Sequence, residues 1–298
     1  KGEVCHEDDF GVHDSDQFWK DNPHCDILDL YWGGKNAISL FNAGILSIKD
    51  MAEEHFTTRP QKKQQKIQHK VHSTGEWHHD KEELKAFIKK LKYPVYFMDF
   101  ETYATAIPLY GNLKPYQPIP FQFSVHVIEK NGNKPKHHAF IASGADDPRP
   151  TFAQELRKTL GENGTILAYY QSFEKSRLKE LAEFFPENKD WIDKDIKRMV
   201  DLYDPFKNFA YYHPSQKGSA SLKRVLPALT GKGYDDMDIG NGTDASLAYL
   251  FITHGSYEGK KATPQEAKKI LADLDKYCGR DTEGMVWILD KLSEIIAK

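Results

Sequence analysis

The chain has 298 residues, 39% of them hydrophobic and 12% aromatic, with 29% charged side chains, a mean hydropathy of −0.66 and a net charge of −3. Such values suit one large or two smaller globular domains under a well-solvated surface, and exclude an obligate polycation. No apolar run approaches the length that spans a membrane, so no membrane partner is expected. The three cysteines, Cys5, Cys25 and Cys278, are odd in number and widely spaced. That argues against a disulfide framework and for a reducing cytoplasm. No signal peptide is visible, and a start at Lys1 rather than Met leads us to expect a piece of something longer.

Charge is unevenly spread. Residues 1–58 carry 4 basic and 12 acidic side chains, and residues 59–92 carry 10 basic and 4 acidic. The basic run either guides a phosphate backbone toward the strand that begins after residue 92 or is a solvated lysine face. Within the acidic segment, Cys5-His6, His13 and His24-Cys25 match no standard zinc spacing, so structural thiols are expected. Leu30–Met51 reads as a short helix to Phe41, a Gly44 turn and a second helix capped by Ser47. It is either a helix-hairpin-helix whose turn offers N–H groups to phosphate or an ordinary αα-hairpin. The Gln- and Lys-rich residues 59–75 read as an exposed helix or linker. Asp80 caps a helix through Lys92, with Leu84, Phe87, Ile88 and Leu91 on one face. Residues 1–92 are thus expected to be a helical N-terminal region, hairpin-like around 36–53 with a basic linker over 59–92. Residues 93–298 then form a second domain.

Tyr93–Tyr103 is a dense apolar and aromatic run ending in Asp99-Phe100-Glu101, and its composition is that of a strand. On a strand i and i+2 share a face, so Asp99 and Glu101 project together while Phe100 turns to the core. Two adjacent carboxylates repel unless a cation lies between them, and oxygen-only ligands suit Mg²⁺ or Mn²⁺. Ala104–Pro120 is a proline-rich loop with Tyr110 and Tyr116, either a substrate flap or an inert insertion. Phe121–Glu129 and His137–Ala142 read as partner strands across Asn131-Gly132-Asn133. Pro150–Leu160 follows as an amphipathic helix, and Thr165–Tyr170 as a fourth strand. That strand leads into a helix capped by Ser172 and bearing Glu174. Helices are expected at 190–200, 219–229, 244–254 and 264–296, with Asp201–Asp204 a short strand or turn. The last helix carries Tyr277-Cys-Gly-Arg-Asp281, where Tyr277 and Asp281 share a face. This order predicts an α/β fold in which not every strand is parallel.

Asp99/Glu101, Glu174 and Tyr277/Asp281, in this order, resemble the motifs of the DnaQ-like (DEDDy-type) 3′→5′ exonucleases of the RNase H-like superfamily. The resemblance covers about residues 93–298. Tyr-Pro-Val-Tyr-Phe-Met-Asp-Phe-Glu-Thr and Tyr-Gln-Ser-Phe-Glu-Lys-Ser-Arg-Leu are also similar to an uncharacterised bacterial family. In that family such a domain follows a RecB/Cas4-like nuclease, which would make an upstream nuclease a partner of this one. The resemblance implies an α/β fold of RNase H-like type, a mixed five-stranded sheet with helices on both faces and the 95–100 strand central, and two-ion phosphodiester hydrolysis on DNA or RNA. It further implies Asp99 bridging both ions, Glu101 and Asp281 completing the site that activates water, Glu174 holding the second ion and Tyr277 orienting the water. Glu174 stands where the exonucleases have Asp. The competing expectation is a catalytically degenerate module that binds nucleic acid or docks a partner. Tyr103, Tyr110 and Tyr116 are expected either to stack on terminal bases or simply to pack.

Overall fold

The computed structural model describes residues 22, 25–256 and 259–298; Cys5, His6, His13 and His24 lie outside them. The chain divides into two compact units. The smaller holds the described residues up to His79 together with Asn208–Ala220, and the larger holds Asp80–Lys207 and Ser221–Lys298. The boundary therefore falls at 79/80 rather than 92/93, and a distant segment returns to complete the smaller unit.

In the smaller unit, helix α1 (Gly34–Asn42) ends at a turn where Gly44 has φ +85, a value that favours glycine. The expected second helix is only the 3-10 turns Ile48–Asp50 and Glu53–His55. Ser47 does not cap a helix; its hydroxyl donates to Asp26 Oδ1 at 3.0 Å. The phosphate-binding reading of this hairpin also loses its donors. Gly44 N–H and Ile45 N–H go to carbonyls of Phe41 and Leu40, and Ile48 N–H goes to Asp26 Oδ1 at 2.7 Å.

Helix α2 (Lys62–Thr74) is not a linker. It buries Gln65 and Gln68 beside Val71, because each glutamine amide pairs with open backbone. Gln68 Oε1 accepts from Tyr31 N–H at 2.7 Å, and its Nε2 donates to Asp29 O at 2.9 Å. Gln65 likewise bridges Thr57 N–H and Tyr31 O. Of the basic run, Lys62 and Lys66 both pair with Glu53, at 2.9 and 2.8 Å. Two-residue strands His78–His79 and Tyr211–Tyr212 pair antiparallel, while Tyr31, Val71, Phe209 and Tyr212 form a small apolar core.

In the larger unit, α3 (Lys81–Ile88) starts at Asp80, whose carboxylate accepts from Glu82 and Glu83 N–H. The sheet comprises β1 (Val95–Tyr103), β2 (Ile119–Ile128), β3 (Lys136–Ile141), β4 (Thr165–Ala168) and β5 (Met199–Asp201). Its order is β3-β2-β1-β4-β5, with β1 central, antiparallel to β2 and parallel to β4. The larger unit is thus α/β with a mixed five-stranded sheet, as its sequence predicts. Val200, expected at a helix end, is in β5, the helix before it (α6, Lys189–Lys197) having already stopped.

One sheet face buries Tyr96, Met98 and Phe100 against Phe152 and Leu156 of α4 (Arg149–Thr159), and Leu178 and Leu181 of α5 (Ser172–Phe184). A one-turn helix at Asp204–Lys207 follows β5, and α7 (Leu222–Thr230), α8 (Gly242–His254) and α9 (Pro264–Ala297) come after it. Against the second face, Tyr103 and Phe121 cluster with Tyr249 of α8 and with Leu274 and Tyr277 of α9. The period-2 alternation of β1 thus serves two cores, and only Asp99 and Glu101 interrupt it.

Candidate active site

Asp99 and Glu101 lie on the second face of β1, where α9 crosses it. Three contacts fix that crossing: Gln122 Nε2 donates to Leu274 O at 2.8 Å, Ser124 Oγ meets Thr282 Oγ1 at 2.7 Å, and His126 Nδ1 meets the same hydroxyl at 2.8 Å. Since Ser124 is the register partner of Asp99, they bring residues 277–281 of α9 over the two carboxylates. The β1–β2 register shifts between Glu101 and Thr102, a bulge that interrupts the ladder beside the acidic pair before pairing resumes at Thr102 and Tyr103.

Glu174 reaches the same place from the other side. Tyr170, with φ +67, turns the chain from β4 into α5. The turn is held by Asp201, whose carboxylate accepts from Tyr170 N–H at 2.8 Å, Gln171 N–H at 3.2 Å and Tyr203 N–H at 3.0 Å. Ser172 is therefore the first helical residue rather than the cap, and Gln171 precedes it. Glu174 is 3% exposed, and its Oε2 is buried without a hydrogen-bond partner among the described residues. A buried, unpartnered carboxylate oxygen is costly unless a proton or cation serves it.

Electrostatics tie the four carboxylates together. Asp99 is held well above the usual carboxylate range by burial, then by the charges of Asp281, Glu101 and Glu174. Glu101 is pushed up to about 8 by burial and by Asp281 and Glu174, against the pull of Lys223. Burial, with Asp201, raises Glu174 to about 8. Asp281 rises to about 6, again by burial, moderated by a hydrogen bond from Tyr234 and by Lys223 and Arg280. For Asp99 and Glu101 this is the signature of like charges gathered in a low-dielectric pocket; for Glu174 and Asp281 burial is the main cause. The charges of Glu101, Glu174 and Asp281 thus all act on Asp99, while of the four carboxylates Asp99 and Glu101 are the pair whose ligand atoms fall in one group within 4.8 Å.

Tyr277 is buried in the wall of that pocket. Burial, then the charges of Asp281, Glu101 and Asp99, raises its pKa further above the ordinary phenol value. Tyr103, by contrast, is 1% exposed, and its hydroxyl donates to Tyr110, which in turn donates to backbone carbonyls of 145 and 146. Tyr103 therefore packs and has no ring face open to a base, while Tyr110 is half-buried against the same core. Tyr116 is 68% exposed.

Three residues of the site were not singled out from the sequence. Cys278 Sγ lies 3.6 Å from Asp99 Oδ2, and ligand atoms of Asp99, Glu101 and Cys278 all fall within 4.8 Å of one another. Tyr234 donates a hydrogen bond to Asp281 Oδ1. Its loop is tied to α9 by Arg280, which donates to Gly233 O at 2.7 Å, and by Lys276, which donates to Asp236 O at 2.6 Å. Lys223 on α7 lies over the rings of Tyr277 and Tyr234 at 5.2 and 5.5 Å. Gly284 permits this: a Cβ there would come within 2.8 Å of Leu226 on α7. Of the three, only Cys278 had a signal, since it lies inside the Tyr-x-x-x-Asp run.

Residues 96–221 match a family described as a domain of unknown function (DUF2779). That span takes in Asp99, Glu101 and Glu174 and stops before Tyr277 and Asp281. The chain is similar to the uncharacterised protein MG366 of Mycoplasma genitalium, 25% identical over 228 residues that cover 70% of this chain and 33% of the relative. It is similar to the uncharacterised protein UU173 of Ureaplasma parvum, 27% identical over 223 residues, covering 66% and 31% respectively. The chain therefore spans about a third of the length of these curated relatives. No solved structure shows a significant match.

Proposed function

We propose that the larger unit is an RNase H-like nuclease of the DnaQ-like type, which hydrolyses phosphodiester bonds of DNA or RNA from a 3′ end. The observation that carries this reading is the approach of Glu174 and Asp281 to Asp99 and Glu101, from three distant stretches of chain, close enough that their charges raise the pKa values of Asp99 and Glu101, together with an orphaned Glu174 Oε2. Such a donor set fits hard divalent ions, Mg²⁺ or Mn²⁺, and not a soft or redox centre alone. Two ions bound there would neutralise the phosphate and activate water for in-line attack.

The chain's own groups divide the remaining work. Asp99, which feels the other three charges, would be shared between the ions. Glu101 and Asp281 would serve one side, and Glu174 the other, its extra methylene extending the reach from α5. Tyr277 stays protonated at neutral pH, because its surroundings raise a pKa already near 10. It therefore acts as a hydrogen-bond donor that orients the attacking water, and not as the general base. Tyr234 holds Asp281 in place through its hydroxyl. Lys223 offers a cation at the rim for a phosphate oxygen. Tyr170, 58% exposed at the mouth of the β4–α5 turn, is a stacking surface for a terminal base.

The test is cleavage of 3′- and 5′-labelled single strands of DNA and RNA, with Mn²⁺ or Mg²⁺, by the wild-type chain and Asp99→Asn. End-first shortening from the 3′ end that Asp99→Asn abolishes supports the reading. Binding without cleavage by the wild type would instead make this a degenerate docking module. Neither binding nor cleavage would overturn the nucleic-acid assignment.

A further inference from the structure

Cys278 is fully buried, and its Sγ faces the acidic pair rather than the apolar wall. Thr282, one helical turn further on, is locked to Ser124 and His126, which fixes the rotation of α9 that turns Cys278 toward Asp99. We infer that Cys278 is a specificity-determining ligand that opens this centre to thiophilic divalent ions, Zn²⁺ or Cd²⁺, beside the hard ions that four carboxylates would select. The inference rests on the metal-site reading above.

The spacing supports it. A tetrahedral ion with bonds of about 2.3 Å to sulfur and about 2.0–2.2 Å to oxygen sets those ligand atoms roughly 3.5–3.7 Å apart. Cys278 Sγ and Asp99 Oδ2 stand at 3.6 Å already, and Glu101 lies within the same 4.8 Å group. The orphaned, buried Glu174 Oε2, on a carboxylate whose charge acts on both Asp99 and Glu101, is an independent sign that the pocket is built for a ligand. Thiolate donors shift selectivity toward soft ions, which an all-oxygen set does not do. On binding, the Sγ–H bond breaks, its proton leaves to the buffer, and a sulfur–metal bond forms.

The experiment titrates Co²⁺ and Cd²⁺ into the full chain and into Cys278→Ser, reading the thiolate-to-metal charge-transfer band and, by calorimetry, the affinity. A Cys5→Ser/Cys25→Ser chain controls for the other thiols. The expected result is a band in wild type and in the control that is absent from Cys278→Ser. Cd²⁺ affinity should fall by about 10–100-fold in that variant, and Mn²⁺ affinity by less than about two-fold. Should Cys278→Ser fail to fold, X-ray absorption of the Zn²⁺-loaded control decides, since a sulfur in the first coordination shell supports the inference and an all-oxygen shell ends it. Mn²⁺ binding with no charge-transfer band in any chain would overturn the thiol role and leave the metal site intact. Failure of every ion to bind would overturn both.

Discussion

Glu101→Gln should stabilise the metal-free protein at pH 8 while changing little at pH 4. The Glu101 carboxyl is held at about 8 in the folded chain against an ordinary 4.5, by burial and by Asp281 and Glu174. A folded pKa raised above the unfolded one means that the native state binds the extra proton. The stability this represents is full below 4.5 and is lost as pH rises through 8. About three units at 1.36 kcal/mol each give a loss of about 4 kcal/mol by pH 8. Some of that loss belongs jointly to Asp99 and Asp281, so removing the one charge should return about 2–4 kcal/mol. In melting temperature this is roughly 3–6 °C for a chain of this size. Thermal melts of wild type and Glu101→Gln in a chelator, from pH 4 to 8.5, give the difference directly, and that difference must grow with pH. Mn²⁺ should shrink it at pH 8 by stabilising the wild type more than the variant. A difference that is constant with pH, or a variant less stable than wild type at pH 8, would refute the claim that these carboxylates repel one another in one pocket.

Tyr277→Phe should bind Mn²⁺ and substrate normally while kcat falls ~10–100-fold, about 1.4–2.7 kcal/mol; a wild-type rate would confine Tyr277 to packing. Gly164→Ala should cost about 2–4 kcal/mol in denaturant unfolding, because Gly164 has φ +91 and a Cβ there would lie 2.0 Å from Pro94 O, between the starts of β1 and β4. His126 is depressed to about 4 by burial and by His137 and His138, so the stability of its neutral form is present above pH 6.5 and lost as pH falls toward 4. His126→Gln should therefore flatten the acid limb of the stability profile by about 2 kcal/mol, read as the melting difference between pH 6.5 and 4.

Much of the larger unit could be read from its sequence because local periodicity and tertiary packing agree there. The alternation of β1 assigns Asp99 and Glu101 to one face, and an uninterrupted helical pattern carries Tyr277 and Asp281. What escaped was set by contacts distant in sequence. Ser172 looks like a cap, but Asp201, about 30 residues on, takes the amides of the turn. Gln65 and Gln68 look solvated, yet their amides replace backbone partners for Tyr31 and Asp29, which lets them be buried. Tyr103 is an aromatic at a strand end, and the same alternation that sets it on the face of Asp99 and Glu101 carries it under α8 into the core, where Tyr249 covers it. Tyr234 reaches Asp281 only because Arg280 and Lys276 pin its loop, 47 positions away, and no local pattern announces that. In the smaller unit, removal of residues 1–75 would strip Phe209 and Tyr212 of Tyr31 and Val71, so that unit is not a detachable N-terminal module.

The two-ion centre is tested most directly by anomalous scattering from a crystal soaked in Mn²⁺. Two peaks are expected roughly 3.5–4 Å apart, both touching Asp99, one flanked by Glu101 and Asp281 and the other by Glu174. Absence of manganese from the carboxylate cluster at saturating Mn²⁺, in a protein that still binds single strands, would contradict it.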